Sequence, residues 1–178
     1  MDKTQTSKFM SLVLRHDPSA AGVTLDDAGW CDINALLHGM AGARHRITRE
    51  DLLDIVRTDS KQRYAISEDG LRIRANQGHS IDVQLGLQPV TPPEVLFHGT
   101  ADRFTNAIRR DGLKAMGRQH VHLSPDEPTA RSVGQRHGRP VIFRVAAGEM
   151  VKRGHTFYRS ENGVWLTDAV PAEFLSEA

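Results

Sequence analysis

The chain has a single cysteine, Cys31, among its 178 residues. One thiol closes no intramolecular disulfide, and no CxxC pair stands anywhere, so neither a disulfide scaffold nor a thiolate zinc site is available. Long apolar runs are missing too. None approaches the roughly 20 residues needed to cross a bilayer, and the longest, around 140–143, suits one buried strand. The first residues lack the basic stretch and apolar run of a secretory signal, so the expected location is cytoplasmic, with no membrane contact. Net charge is nearly absent, with 23 Lys and Arg against 22 Asp and Glu. A polyanion finds no overall field to hold it, and any contact with nucleic acid has to come from a local cluster. The Gly-rich loop of a Rossmann dinucleotide fold is also absent. What remains is ordinary globular composition, 39% hydrophobic and 25% charged, enough for one domain of average size or two small ones. Within it, arginines outnumber lysines 18 to 5, and guanidinium is the fork that grips phosphate through two parallel hydrogen bonds.

The segment 86–94 holds Pro89, Pro92 and Pro93 and shows neither helical nor strand period. It reads as a linker between a lobe at 1–85 and a lobe at 95–178. In the first, Phe9, Leu12 and Val13 predict a helix over 7–15, stopped by Asp17-Pro18. An Asp27-Ala28-Gly29 turn precedes Trp30. Asp32 then caps a helix carrying Ile33, Leu36 and Leu37, and Thr48 with Asp51 opens a third that buries Leu52, Ile55 and Val56. Alternating strands over 63–67 and 71–75 flank a Glu68-Asp69-Gly70 turn. Three helices followed by a hairpin describe a winged helix, an architecture used for nucleic-acid and for protein contacts alike. The second lobe reads as strand 95–98, helix 105–111 closed by Gly112, strand 120–124, helix 128–137, strand 141–145, and a hairpin around Asn162-Gly163. The fold class is α+β.

Four clusters carry possible chemistry. Leu14-Arg15-His16 ends the first helix, where His16 as a cation suits the helix dipole. Strand alternation puts Arg72 and Arg74 on one face with Ile73 toward the core, so two guanidinium groups project together. His98-Gly99-Thr100 closes an apolar strand, where glycine admits a ligand to backbone N–H and C=O groups, and an amide such as nicotinamide suits that place. His120 and His122 share one strand face near Arg118. With no Cys partner, HExxH pattern or carboxylate triad beside them, no metal is expected.

Taken together and in order, these clusters resemble the RNA 2'-phosphotransferase (tRNA 2'-phosphotransferase) family. The likeness runs through Ser7-Lys8-Phe9-Met10-Ser11-Leu12-Val13-Leu14-Arg15-His16, Gly29-Trp30, Arg74-Ala75-Asn76-Gln77-Gly78-His79-Ser80, His98-Gly99-Thr100 and His120-Val121-His122-Leu123-Ser124. It spans nearly the whole chain. The resemblance implies a winged-helix RNA lobe joined to a C-terminal NAD lobe similar to ADP-ribosyltransferases, with the active site between them. It implies that an internal RNA 2'-phosphate attacks the nicotinamide-bearing ribose carbon of NAD+, which is consumed as a substrate. The ribose 2''-hydroxyl then attacks the phosphorus, giving 2'-hydroxyl RNA, ADP-ribose 1'',2''-cyclic phosphate and nicotinamide.

The first step uses a ready anion that must be held beside the dinucleotide's own phosphates, and the second builds charge on phosphoryl oxygens. Both call for fixed guanidinium donors. Arg15, Arg74 and Arg118 are the expected phosphate contacts, with Arg72 or His16 assisting and His16 a candidate for taking the hydroxyl proton. By the resemblance, His98, Gly99, Thr100, Gly112, His122, Leu123 and Ser124 form the NAD set. Arg63, Asn76, Gln77, Gly78, His79 and Ser80 form the RNA set. The Glu that many protein-directed ADP-ribosyltransferases place late in the NAD lobe has no counterpart at Val164-Trp165-Leu166-Thr167, which favours phosphate as acceptor. The competing expectations are ADP-ribosylation of a terminal nucleic-acid phosphate and a winged-helix regulator that senses NAD. A monomer is the default assembly.

Overall fold

Asp2 caps the first helix by accepting from the backbone N–H of Thr4 at 2.9 Å and Gln5 at 3.2 Å. Helix α1 therefore spans Lys3–Arg15, starting earlier than its apolar spacing predicts. The computed structural model describes residues 2–178, and the chain divides after Gly86 into two units.

In the first unit, β1 (Cys31–Asp32) leads into α2 (Ile33–Gly42), whose N-terminus is closed by Asp32 accepting from Ala35 N–H at 2.8 Å. Helix α3 (Arg49–Thr58) begins with the reciprocal Thr48–Asp51 capping box that the sequence predicts. Strands β2 (Tyr64–Ile66) and β3 (Arg72–Ala75) pair antiparallel around the expected turn, and β1 adds to the other edge of β3. Met10, Val13, Leu14, Leu36, Met40, Leu52 and Ile73 are fully buried in one cluster. Burial of this apolar surface, rather than helix propensity, holds three helices of 13, 10 and 10 residues in place.

The second unit contains β4 (Leu96–Ala101), α4 (Thr105–Asp111), β5 (Leu113–Lys114), β6 (Val121–Leu123), α5 (Glu127–Gly134), β7 (Pro140–Val145), α6 (Ala147–Lys152), β8 (Phe157–Arg159), β9 (Trp165–Thr167), β10 (Ala169–Val170) and β11 (Leu175–Glu177). They form antiparallel sheets ordered β11-β7-β4, β6-β9-β8 and β10-β5. The first two are tied where Phe97 N–H donates to Ser124 O at 2.9 Å and Ser124 N–H returns to Phe97 O at 2.7 Å. Part of the proline-bearing segment expected as a linker joins this unit: Pro89 bridges Tyr158, and Val90 N–H donates to Phe157 O at 2.9 Å. Among the described residues, no helix is long and apolar enough to cross a membrane. The layers are those of an α+β chain.

One boundary differs from the sequence reading in a way that matters. The strand predicted to stop at 98 continues to Ala101, so Gly99 and Thr100 lie inside β4, opposite Ile142 and Val141. The glycine is not there to end the strand. A Cβ at position 99 would collide with the backbone carbonyl of Ala130, because α5 packs directly on β4. Gly99→Ala is therefore expected to destabilise the second unit by about 3 kcal/mol, since a backbone carbonyl gives way less easily than a side-chain tip. Urea titration of the variant against the wild type checks this, and an unchanged midpoint would contradict it.

Candidate active site

The first unit folds two distant stretches of sequence together. Ser80 N–H donates to Arg15 O at 2.9 Å, and Ser80 Oγ lies 2.8 Å from His16 Nδ1. Between them Gly78, at φ +88°, faces the Arg15 guanidinium so closely that a Cβ there would sit 3.5 Å from Arg15 Cζ. The glycine is required by its left-handed backbone, while a Cβ would make only ordinary contact with the arginine it covers. Arg15-His16 and Gly78-His79-Ser80 are thus a single structural feature.

Arg74 reaches the same place from β3. Continuing the β1–β3 register one step sets Trp30 opposite Arg74, and the guanidinium lies 4.6 Å from the indole centroid. Trp30 is in turn fixed by Asp26, whose Oδ1 accepts from Ala28 N–H at 3.0 Å and Trp30 N–H at 2.9 Å. Arg72 also lies over Trp30, at 5.4 Å, but its Nη1 pairs with Asp26 Oδ2 at 3.6 Å. The predicted shared face of Arg72 and Arg74 is present, while Arg72 is engaged by a carboxylate that the sequence reading did not single out. Asp26 is the positioning residue it missed, and Trp30, quoted there only as part of Gly29-Trp30, is the ring over which both arginines lie. The signal was available in the β1–β3 register, which needs the pairing partner to be known.

His79 is 1% exposed, and neither ring nitrogen has a hydrogen-bond partner among the described residues. Burial, then the charges of Arg15, His16 and Arg74, push its pKa down from 6.5 to about 4. Both arginines therefore lie within electrostatic reach of one buried imidazole. Asn76 is buried as well, with Nδ2 donating to Gln62 O at 2.7 Å and its backbone N–H to Arg63 O at 2.8 Å. Of the predicted RNA set, Ser80 is exposed, Gln77 is half-buried, and Arg63 is half-buried and ion-paired with Asp59.

The depressed His79 pKa has a stability consequence whose sign is fixed. Above 6.5 the ring is neutral whether folded or not, and as pH falls toward about 4 only the unfolded chain takes up the proton. Folding stability is expected to fall by about 3 kcal/mol across that window, and His79→Leu is expected to flatten the dependence. Urea titrations at neutral and acidic pH measure it. A wild-type profile matching that of the variant would contradict it.

In the second unit, β6 buries Val121 and Leu123 and turns His122 to the opposite face. Arg118 Nη1 donates to His122 Nδ1 at 3.0 Å, so the His122 proton resides on Nε2. Burial and the neighbouring Arg136 charge hold the Arg118 pKa below the usual arginine value. His98 Nδ1 lies 3.0 Å from His122 O and donates to it, which leaves Nε2 as an acceptor, and burial keeps the ring toward its neutral form. Because Phe97 turns its N–H and C=O to Ser124, Gly99 two residues on aims its own pair along the same edge of β4. One N–H and one C=O side by side complement a carboxamide as a strand would. His98, Thr100, His122, Leu123 and Ser124 cluster around this edge through the Phe97–Ser124 pairing. Gly112 is spent differently: it closes α4 at φ +77°, pressed against the Val170 carbonyl. His120 faces Asp168 across 3.9 Å and tilts against Tyr158. The buried Cys31 thiol is pushed up to about 11 by burial and is no nucleophile at neutral pH.

The family model described as RNA 2'-phosphotransferase, Tpt1 / KptA family, matches residues 1–169. Among curated proteins, the chain is 56% identical over 178 residues to a probable RNA 2'-phosphotransferase of Hahella chejuensis, covering 99% of this chain and 96% of that one. It is 52% identical over 177 residues to the same-named protein of Burkholderia lata, covering 99% and 91%. It is 51% identical over 173 residues to that of Agrobacterium fabrum, covering 97% and 93%.

Proposed function

The chain belongs to the RNA 2'-phosphotransferase, Tpt1 / KptA family, and from that premise we propose that it transfers an internal RNA 2'-phosphate to NAD+. The first unit is the winged-helix RNA lobe and the second the ADP-ribosyltransferase-like NAD lobe of this reading. The observation that carries it is the folding of Arg15-His16 onto Gly78-His79-Ser80 with Arg74 acting on the same buried imidazole. Two guanidinium groups within electrostatic reach of the same imidazole suit a phosphate of charge near −2.

In the proposed reaction, a 2'-phosphate oxygen forms a bond to the ribose C1'' of NAD+ as the C1''–nicotinamide bond breaks. The 2''-hydroxyl oxygen then bonds to phosphorus, the bond from phosphorus to RNA O2' breaks, and the proton passes to the departing RNA hydroxyl. Arg15 and Arg74 hold the phosphate, and Ser80 orients His16 to handle the proton. His98 and the backbone of Gly99 take the carboxamide, with Thr100, Leu123 and Ser124 around it. Arg118, steadied by His122, supplies a guanidinium to the phosphoryl oxygens. Gln77 and Arg63 contact the RNA, and Asn76 supports their loop. NAD+ is consumed, and the protein acts in the cytoplasm as a monomer.

Incubation with NAD+ and a short RNA carrying one internal 2'-phosphate tests the whole reading by following both RNA and nucleotide products. Cyclic phosphate, nicotinamide and 2'-hydroxyl RNA are expected. An ADP-ribose cap left on a terminal phosphate, or no release of nicotinamide, would overturn it.

A further inference from the structure

A groove of about 500 Å³ runs along the outer flank of α1 in the first unit and ends at His16. One wall is α1 itself. Lys3, Ser7 and Ser11 make one row at i, i+4 spacing, and Thr4, Lys8 and Leu12 make the next, leading to His16. The other wall comes from Thr58, Asp59 and Arg63 at the end of α3 and the start of β2. From Lys8 to His16 the helix rises roughly 12 Å.

The chemistry of this groove is that of a surface for a polyanion with bases. Helix α1 carries Lys3, Lys8 and Arg15 and no acidic residue. The acidic group on the wall, Asp59, is neutralised by its ion pair with Arg63, and Lys3 is held by Asp54 at 2.5 Å. Lys8 is exposed and makes no ion pair among the described residues. Beside it Leu12 is 41% exposed, an apolar face for a ribose or base, although it sits on an otherwise polar helix flank. The wall is rigid: the buried Tyr64 hydroxyl donates to Ser7 O at 2.7 Å and lies 2.7 Å from Ser11 Oγ. The groove is continuous with the proposed phosphate site through His16, and through the Arg63 carbonyl that accepts from Asn76 N–H.

We infer that this groove seats the single-stranded RNA flanking the 2'-phosphorylated nucleotide, with Lys8 on a backbone phosphate and Leu12 against a ribose or base. The inference rests on the proposed activity and adds where the rest of the substrate lies. The test compares kcat/KM for a 2'-phosphorylated oligonucleotide with that for a 2'-phosphorylated dinucleotide, in wild type, Lys8→Arg, Lys8→Ala and Lys8→Glu. The ratio of the two is expected to fall about tenfold in Lys8→Glu, less in Lys8→Ala, and to be restored in Lys8→Arg. The slope of log kcat/KM against log salt for the oligonucleotide is expected to flatten by about 0.7 in Lys8→Ala. An unchanged ratio with an unchanged slope overturns the inference.

Fluorescence anisotropy with a labelled RNA lacking any 2'-phosphate separates it from the reading it rests on. Lys8-dependent binding without turnover by the wild type sustains the groove and overturns the activity. Turnover with binding indifferent to Lys8 does the reverse.

Discussion

Arg74→Ala is expected to lower the rate of 2'-phosphate removal by about 100 to 1,000-fold, the usual loss when a fixed donor to a developing oxyanion is deleted. The strand survives the change, because β3 is held by buried Ile73 and Ala75 and by pairing on both edges. What goes is a guanidinium laid on the Trp30 ring that, with Arg15, acts on the buried His79. Lysine at 74 is expected to recover little, since an ammonium neither stacks in the same plane nor offers two parallel donors. The product assay reads the rate. The His79 titration, followed by NMR, reads the geometry: with one of its neighbouring charges gone, that pKa rises from about 4. Undiminished turnover would remove Arg74 from the catalytic set.

Arg118→Ala is expected to act later in the reaction. In the proposed reaction the first step is attack on carbon by a group that is already anionic, whereas the second drives a hydroxyl against phosphorus and gathers charge on the phosphoryl oxygens. Arg118 stands in the second unit with one Nη1–H given to His122, and the guanidinium has four further N–H donors. Its loss is expected to slow the second step about 100 to 1,000-fold, and the first much less, so that ADP-ribosylated RNA accumulates. Quenched time courses on a denaturing gel resolve that species. Equal slowing of both steps would contradict the assignment.

Where the sequence carried local chemistry, the elements were legible. Asp32 and Thr48-Asp51 closed helix ends at the positions expected, and the Glu68-Asp69-Gly70 and Asn162-Gly163 turns joined the strand pairs expected. The elements not anticipated depend on partners far along the chain. Strands β5 and β10 have two residues each and exist by pairing with one another, and β11 exists by lying on β7. Helix α6 has six residues, too few to display a period. The candidate site shows the same division. Arg15, Arg74, His98 and His122 are proposed from type and order alone. That Arg72 is paired with Asp26, and that Gly99 answers to Ala130, emerged only from the register of strands and the packing of a helix.

The chain has two tryptophans, and each lies under an arginine: Trp30 under Arg74 in the first unit, Trp165 under Arg159 in the second. Trp30 is half-buried whereas Trp165 is buried, so a half-wetted indole is expected to emit to the red of a dry one within a shared envelope. A ligand that draws Arg74 off its indole is expected to change the Trp30 contribution, which Trp165→Phe isolates. Occupancy of the first unit would thereby be followed without a label.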